Sequence, residues 1–229
     1  MGEVVLISGT DTGVGKTVAA TWLAWRTSQS AQVALIKAAQ TGAIPEVDGD
    51  EAFYRSALEG TGVTFYTAAA YSAPLAPLIA ARREGAAGGF EGIATRCADF
   101  AAGHELALVE GSGGILVPID EEHDFTDLAI RLGASVAIVV RPGLGTLNHT
   151  ARTVEAAERR GLAVSVLICS GTARIPDLVE SENLIYIRQR YPRIPLITIE
   201  YASRADLIRP EHLIVRTHGA LPAWLPGAD

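Results

Sequence analysis

Short apolar runs alternate with helix-length amphipathic segments along most of this chain. The runs are four to six residues long and rich in valine, leucine and isoleucine. Such runs are typical of strands that are buried on both faces of a parallel sheet. Predicted strands lie at residues 4–8, 33–37, 106–110, 136–140, 163–168 and 196–199, and predicted helices at residues 16–27, 50–58, 92–102, 125–132, 148–160 and 178–191.

This alternation predicts an α/β fold with a mostly parallel sheet and helices on both faces. No repeat, low-complexity tract or long linker divides the sequence, so residues 1–229 are expected to form a single domain. Functional loops of such a sheet lie at the carboxyl ends of its strands. The conspicuous polar loops of this chain follow predicted strand ends, so we expect the functional site there.

Composition narrows the possible classes of function. The chain is 48% hydrophobic over 229 residues, which supports a sizeable core, and its formal net charge of −7 argues against general nucleic-acid binding. No apolar run approaches the roughly 20 residues of a membrane span, and the N-terminus enters a predicted strand without a basic region or cleavage signal. Cys97 and Cys169 lack CxxC spacing, which predicts reduced, buried thiols. We therefore expect a cytoplasmic protein whose partners include neither nucleic acid nor a membrane.

The most specific motif follows the first predicted strand. Residues 9–17 read GTDTGVGKT and lead directly into a predicted helix, which is the context of a phosphate-binding P-loop and predicts a P-loop NTPase-like domain. Glycines let backbone N–H groups face a phosphate, and the helix N-terminus adds the positive end of its dipole. Lys16 is then expected to reach the β- and γ-phosphates, and Thr17 to bind Mg²⁺. The motif departs from the common pattern because five residues, rather than four, separate Gly9 from Gly15.

Lysine is scarce in this sequence. Among 19 basic residues only Lys16 and Lys37 are lysines, and each lies near glycine after an apolar run. A compact ammonium fits among phosphate oxygens where a broad guanidinium does not. Both lysines are therefore expected to serve an anionic site, although composition bias explains Lys37 equally well when it is considered alone.

Two acidic residues are candidate metal ligands. Glu110 ends the third predicted strand and is followed by glycines in the sequence EGSGG, residues 110–114, which suits a Mg²⁺ ligand beside a closely approaching phosphate. The alternative for Glu110 is a capping or ion-paired glutamate. Asp50 precedes a predicted helix and, taken alone, is explained as an N-cap.

Four segments together resemble the dethiobiotin synthetase family. They are residues 9–17, Lys37 with residues 40–42, residues 109–114 and residues 144–150, and they occur in the order that the family shows. The resemblance implies an enzyme that uses ATP and Mg²⁺ to carboxylate 7,8-diaminopelargonate with CO₂, or bicarbonate as its source, and to close the ureido ring of dethiobiotin. It also implies a homodimer of doubly wound subunits, in which the 144–148 loop of one subunit completes the substrate site of its neighbour.

The resemblance further implies roles for individual residues. Lys37 and Lys16 would be catalytic, while Thr17, Asp50 and Glu110 would hold Mg²⁺. The nucleotide-binding residues would be Gly13, Val14, Gly15, Lys16, Thr17, Val18, Glu110, Gly111, Ser112, Gly113, Cys169 and Ser170. The substrate-binding residues would be Thr12, Lys37, Thr41, Gly145, Thr146, Leu147 and Asn148.

Three positions depart from the family pattern. Ala38 stands where the family usually has proline, which predicts a looser loop after Lys37. Leu78 stands where the family commonly shows histidine, so no chemistry is assigned there. Residues 167–171 read LICSG, without the asparagine that reads adenine in many relatives, so either ATP or another nucleoside triphosphate fits.

Three other classes of protein share parts of this pattern. A deviant Walker-type partitioning ATPase needs a second lysine early in the P-loop, where this chain has Asp11. A cobyrinate-type amide synthetase carries an additional glutaminase domain, for which the chain is too short. A non-catalytic, nucleotide-regulated binding module differs from an enzyme in that its nucleotide hydrolysis does not depend on a diamine substrate.

Overall fold

A parallel sheet runs through the part of the chain that the computed structural model describes, residues 2–86 and 89–227. The strands are β1 Glu3–Gly9, β2 Val33–Lys37, β3 Gln40–Thr41, β4 Thr64–Thr67, β5 Ala70–Tyr71, β6 Leu106–Gly114, β7 Ser135–Val140, β8 Val164–Thr172, β9 Leu196–Glu200 and β10 Val215–His218. The helices are α1 Lys16–Ser28, α2 Asp50–Ala57, α3 Pro77–Glu84, α4 Gly89–Ala101, α5 Phe125–Leu132, α6 Thr146–Arg159, α7 Leu178–Arg190 and α8 Arg204–Leu207, followed by a 3₁₀ turn at Pro210–His212.

The order of strands across the main sheet is β10-β9-β8-β7-β1-β6-β2-β4. Neighbouring strands are parallel throughout, apart from β10, which pairs antiparallel with β9. Short strands β3 and β5 form a separate parallel pair beside the main sheet. The mostly parallel α/β sheet predicted from the sequence is confirmed. Because β6 lies between β1 and β2 and all three strands are parallel, the loops after β1, β2 and β6 meet at one edge of the sheet.

Both faces of the central strands are buried. In β1, Val4 and Leu6 pack in the cluster that contains α4 and α5, while Val5 and Ile7 pack in the cluster that contains α1. Side chains of a strand point alternately to opposite faces, so every position of such a strand contacts apolar side chains. This two-sided burial explains why the predicted strands read as continuous apolar runs rather than as alternating patterns.

All six predicted strands and all six predicted helices are present, with the bounds of β2 and α5 as predicted. The prediction that the third strand ends at Glu110 was wrong, because β6 continues to Gly114, where it pairs with Gly9 of β1. Helix α6 begins at Thr146, two residues earlier than predicted. The sequence pattern missed β3, β4, β5 and β10, together with α3 and α8. Strand β4 is half-buried at the sheet edge, so it lacks the continuous apolar signal of the inner strands.

Both cysteines are buried and free, as the sequence predicted. Burial raises the pKa of Cys97 and of Cys169 to about 12, so both thiols stay protonated and unreactive at neutral pH. No helix within the described residues has the length and apolar character needed to cross a membrane.

Candidate active site

A cavity of about 830 Å³ lies where the loops after β1, β2 and β6 meet. Its polar side is formed by the P-loop, by the carboxyl ends of β2 and β6, and by the start of α2. Its other side is more apolar and is formed by the segment that leads into α3. The lining residues are Thr12, Gly13, Gly15, Lys16, Thr17, Val18, Lys37, Gln40, Thr41, Asp50, Pro74, Leu75, Ala76, Pro77, Glu110, Ser112, Gly113 and Val117.

The P-loop takes its shape from two glycines with left-handed backbone conformations. Gly13 has φ of 73° and Gly15 has φ of 91°, a region that residues with a Cβ rarely adopt. A Cβ at Gly15 would also collide with the side chain of Ser170, a residue of β8 that lies against this loop. Gly15 is the N-cap of α1 and makes no side-chain cap, so the first backbone N–H groups of the helix remain available to an anion at the cavity.

Lys16 is buried in the P-loop, and its Nζ donates to the carbonyl of Asp11 at 2.9 Å. Burial lowers the pKa of Lys16 below its ordinary value, and the nearby charge of Lys37 adds to that effect, while Glu110 and Asp50 oppose it. A polyphosphate in the loop would favour the charged ammonium by opposite charge. The position of Lys16 therefore suits direct contact with phosphate oxygens.

The second lysine lies at the centre of a buried ionic cluster. Lys37 Nζ lies 2.6 Å from Asp50 Oδ2 and 2.7 Å from Glu110 Oε1, and it also donates to the Gly111 carbonyl at 3.2 Å. Burial lowers the pKa of Lys37, but the carboxylates of Glu110 and Asp50 raise it by more, so the pKa lies above its ordinary value. The side chain is therefore a cation at neutral pH. Composition bias alone does not account for a lysine held in this way.

Thr17 joins the same cluster and completes a set of oxygen donors. Its Oγ1 donates at 3.1 Å to Asp50 Oδ1 and at 3.1 Å to Glu110 Oε1. One hydroxyl and two carboxylates suit Mg²⁺, which takes few protein ligands and leaves its other positions to phosphate and water. Within residues 2–86 and 89–227, no group of three His, Cys, Asp or Glu side chains offers a metal site of another kind. These three residues therefore fit the metal that the sequence predicted.

The structure also decides the alternatives for the two acidic residues. Glu110 is ion-paired, and it lines the cavity at the same time. The N-cap of α2 is Gly49 rather than Asp50, so the explanation of Asp50 as an N-cap is wrong. The Asp50 carboxylate instead contacts Lys37 and Thr17.

The loop after Lys37 is tied to β6. Ala38 is fully buried, and its backbone N–H donates to the Glu110 carbonyl at 2.9 Å. Proline has no N–H and could not make this bond, so the expectation that Ala38 loosens the loop is wrong. Gln40 extends the same connection, because its Oε1 accepts the backbone N–H of Asp50 at 3.0 Å. Sequence reasoning missed Gln40 as a site residue, although it stands next to Thr41 in the segment of residues 40–42 that carries part of the family resemblance.

The remaining predicted residues lie at different depths. Thr12, Thr41, Ser112 and Gly113 line the cavity beside the two lysines. Val14 and Cys169 do not line the cavity. Val14 packs in the apolar cluster that contains α1, and the side chain of Cys169 packs in the cluster on the opposite face of the sheet. Residues 145–148 form the start of α6, where Gly145 is the N-cap, and they do not line the cavity of their own chain.

Comparisons with known proteins agree with this geometry. A family model described as an AAA domain matches residues 3–203. An ATP-dependent dethiobiotin synthetase BioD from Anaeromyxobacter sp. (strain Fw109-5) is 39% identical over 199 residues, covering 86% of this chain and 89% of that protein. A BioD from Rhodococcus erythropolis is 43% identical over 185 residues, covering 79% and 81%.

Solved structures with the same fold are more distant in sequence. The ATP complex of Cyanothece McdA(D38A) has a TM-score of 0.58 at 14% identity and covers 91% of this chain and 93% of that one. A ParA family ATPase from Chlorobium tepidum has a TM-score of 0.56 at 15% identity and covers 90% and 88%. At such identity these likenesses support the fold alone, so they do not favour the partitioning ATPases as a functional assignment. The relatives above 37% identity decide the matter: this chain belongs to the ATP-dependent dethiobiotin synthetase family of ligases.

Proposed function

We propose that this protein closes the ureido ring of dethiobiotin from 7,8-diaminopelargonate and CO₂, with ATP as the driving co-substrate and Mg²⁺ as the metal. The observation that carries the proposal is the placement of the Lys37 ammonium. It lies within 2.7 Å of Asp50 and Glu110, in the same cavity as Lys16 of the P-loop. Two cations therefore face one space that is large enough for a triphosphate tail and a second anion.

The reaction balances in three steps. One amine of the substrate attacks the carbon of CO₂ and loses a proton, which gives a carbamate. A carbamate oxygen attacks the γ-phosphorus of ATP, the bond to the β-phosphate oxygen breaks, and ADP leaves. The second amine then attacks the carbonyl carbon of the carbamic-phosphoric anhydride, inorganic phosphate leaves, and the loss of one proton from the attacking nitrogen completes the cyclic urea.

The residues of the cavity suit these steps because the carbamate, the triphosphate and the transferring phosphoryl group all carry negative charge. Lys16 would contact the β- and γ-phosphates, while Lys37 would lie between the carbamate and the transferring phosphoryl group. Thr17, Asp50 and Glu110 would hold Mg²⁺, which would neutralise charge on the phosphate oxygens. Catalysis would then come mainly from fixed cations that need no reorganisation when charge moves to the oxygens.

The substrate would occupy the side of the cavity beyond Lys37. Thr12 and Thr41 offer hydroxyls to the cavity, and residues 74–77 offer an apolar wall for the methylene chain. The distal carboxylate would bind backbone N–H groups at the start of α6, residues 145–148, contributed by a neighbouring subunit. This part of the proposal requires a homodimer, since that segment lies away from the cavity of its own chain.

An assay with the purified protein tests the function. Phosphate release is expected to need Mg²⁺, the diamine and bicarbonate together, and mass spectrometry is expected to detect dethiobiotin. Because no asparagine occupies residues 167–171, CTP and GTP are compared with ATP in the same assay. Hydrolysis that the diamine leaves unchanged, with no dethiobiotin formed, would favour a nucleotide-regulated binding module instead.

The substitution Lys16→Arg is expected to weaken nucleotide binding although it keeps the positive charge. Lys16 is buried, and its Nζ is held at 2.9 Å from the Asp11 carbonyl, so the loop lacks room for a planar guanidinium. Titration with a fluorescent ATP analogue measures the dissociation constant. An affinity equal to that of the unmodified protein would show that the loop does not discriminate between the two cations.

A further inference from the structure

The two oxygens of the Glu110 carboxylate have different partners. Oε1 faces the cavity, where it accepts from Thr17 at 3.1 Å and from Lys37 at 2.7 Å. Oε2 points away and accepts a hydrogen bond from the hydroxyl of Tyr54. Glu110 is almost completely buried, so water does not compete for this second oxygen. The hydrogen bond from Tyr54 therefore constrains the orientation of the Glu110 carboxylate.

Tyr54 belongs to the same helix as Asp50. The two residues are four positions apart in α2, so they lie on one face of the helix, and both contact the ionic cluster. The ring of Tyr54 is buried and stacks on Phe65 of β4, with centroids 6.3 Å apart and planes inclined by 25°. The stack is one contact among many, because Tyr54 is buried within the apolar cluster that contains α1, and this surrounding packing as a whole fixes the position of its hydroxyl.

We propose, on the basis of the proposed function, that Tyr54 is a positioning residue that orients Glu110 for Mg²⁺. Its hydroxyl holds Oε2, so that Oε1 is directed at Thr17 and Lys37. Rotation about the last bond of a glutamate side chain is broad, and one fixed oxygen removes that freedom. Partners that orient a metal ligand from outside typically change metal affinity by 10–100-fold when they are removed. Burial, together with the charges of Glu110 and Asp50, raises the pKa of Tyr54 well above its ordinary value, so the hydroxyl stays a donor at neutral pH.

The variant Tyr54→Phe tests this role. Mn²⁺ is titrated into the protein saturated with a non-hydrolysable ATP analogue, and electron paramagnetic resonance measures free and bound metal. We expect metal affinity to fall on the order of tenfold. In turnover assays the Mg²⁺ concentration for half-maximal rate should rise by a similar factor, while kcat at saturating Mg²⁺ stays near that of the unmodified protein.

Two control variants separate positioning from packing. Phe65→Leu removes the ring against which Tyr54 stacks but leaves the hydroxyl, so it should lower the melting temperature with little change in Mn²⁺ affinity. Tyr66→Phe removes a hydroxyl from the neighbouring β4 residue, which packs on Phe100, and should leave both quantities unchanged. A Tyr54→Phe protein with unaltered Mn²⁺ affinity, or one whose affinity falls no further than that of Phe65→Leu, overturns the inference.

The Mn²⁺ comparison does not depend on turnover. If the unmodified protein forms no dethiobiotin, the proposed function fails whatever the metal titrations give. If it forms dethiobiotin and Tyr54→Phe binds Mn²⁺ normally, the role of Tyr54 fails alone.

Discussion

Replacing Lys37 with glutamine is expected to lower kcat for dethiobiotin formation about a hundredfold, which corresponds to ~3 kcal/mol of lost transition-state stabilisation. The amide keeps most of the side-chain length but removes the positive charge that the structure places within 2.7 Å of Asp50 and Glu110. That charge would otherwise lie beside the carbamate and the γ-phosphate as negative charge redistributes between them. The rate is measured at saturating ATP, Mg²⁺ and diamine, so that weakened binding does not enter the comparison.

A matched control for Lys37→Gln is Arg159→Gln. It also removes one positive charge, from an exposed residue of α6 whose ion partner is Glu155. Thermal melts of both variants are recorded, because the loss of Lys37 leaves Asp50 and Glu110 as neighbouring carboxylates with less compensation. A folded Lys37→Gln protein that turns over at the unmodified rate would remove the central residue of the proposed mechanism.

The substitution Glu110→Leu is expected to destabilise the fold by about 3 kcal/mol, because removing one partner of a buried ion pair leaves the other incompletely compensated. Glu110 is 1% exposed and accepts from Lys37, Thr17 and Tyr54. Lys37 would keep Asp50 as its one carboxylate partner, beside the Gly111 carbonyl, and the Tyr54 hydroxyl would lose its acceptor. Unfolding in urea, followed by circular dichroism, measures the change in the free energy of unfolding.

The double variant Lys37→Met with Glu110→Leu separates the ion pair from the packing. Replacing both partners of a buried pair by apolar side chains is often nearly neutral, so most of the loss should be recovered. Asp50 tolerates this change because its side chain is 26% exposed and can be hydrated. An exposed pair gives the comparison: Glu121→Leu, which breaks the contact with Arg82, should leave stability unaltered. Equal stability of Glu110→Leu and the unmodified protein would contradict the buried ion-pair argument.

Much of the site was predictable because its parts are local in the sequence. The P-loop carries its own signal, since Gly13 and Gly15 supply the backbone conformation and Lys16 and Thr17 follow directly at the start of α1. Lys37 was predictable as a residue that ends a strand, and Glu110 as an acidic residue that directly follows a buried apolar run. That the two side chains lie in one site could be predicted only from the general rule that functional loops lie at the carboxyl ends of parallel strands.

Other parts depend on contacts that no local pattern encodes. Tyr54 was predicted only as part of a helix, because nothing near it in the sequence indicates a partner 56 positions away. The hydrogen bond from the Ala38 N–H to Glu110 likewise cannot be predicted until β2 and β6 are known to be neighbours. For Tyr54 the missing information was how α2 packs on the sheet, and for Ala38 it was the order of strands in the sheet.

The sequence by itself determined the fold class, the phosphate-binding loop and the scarcity of lysine that draws attention to Lys16 and Lys37. These features arise from residue spacing and backbone preference, which act over a few positions. Only the tertiary structure decided that Asp50 and Glu110 both contact the Lys37 ammonium and the Thr17 hydroxyl, and that residues 145–148 lie outside the cavity of their own chain. Contacts across 93 positions, such as that of Thr17 with Glu110, arise because β6 packs directly beside β1, and strand order is a property of the whole folded chain.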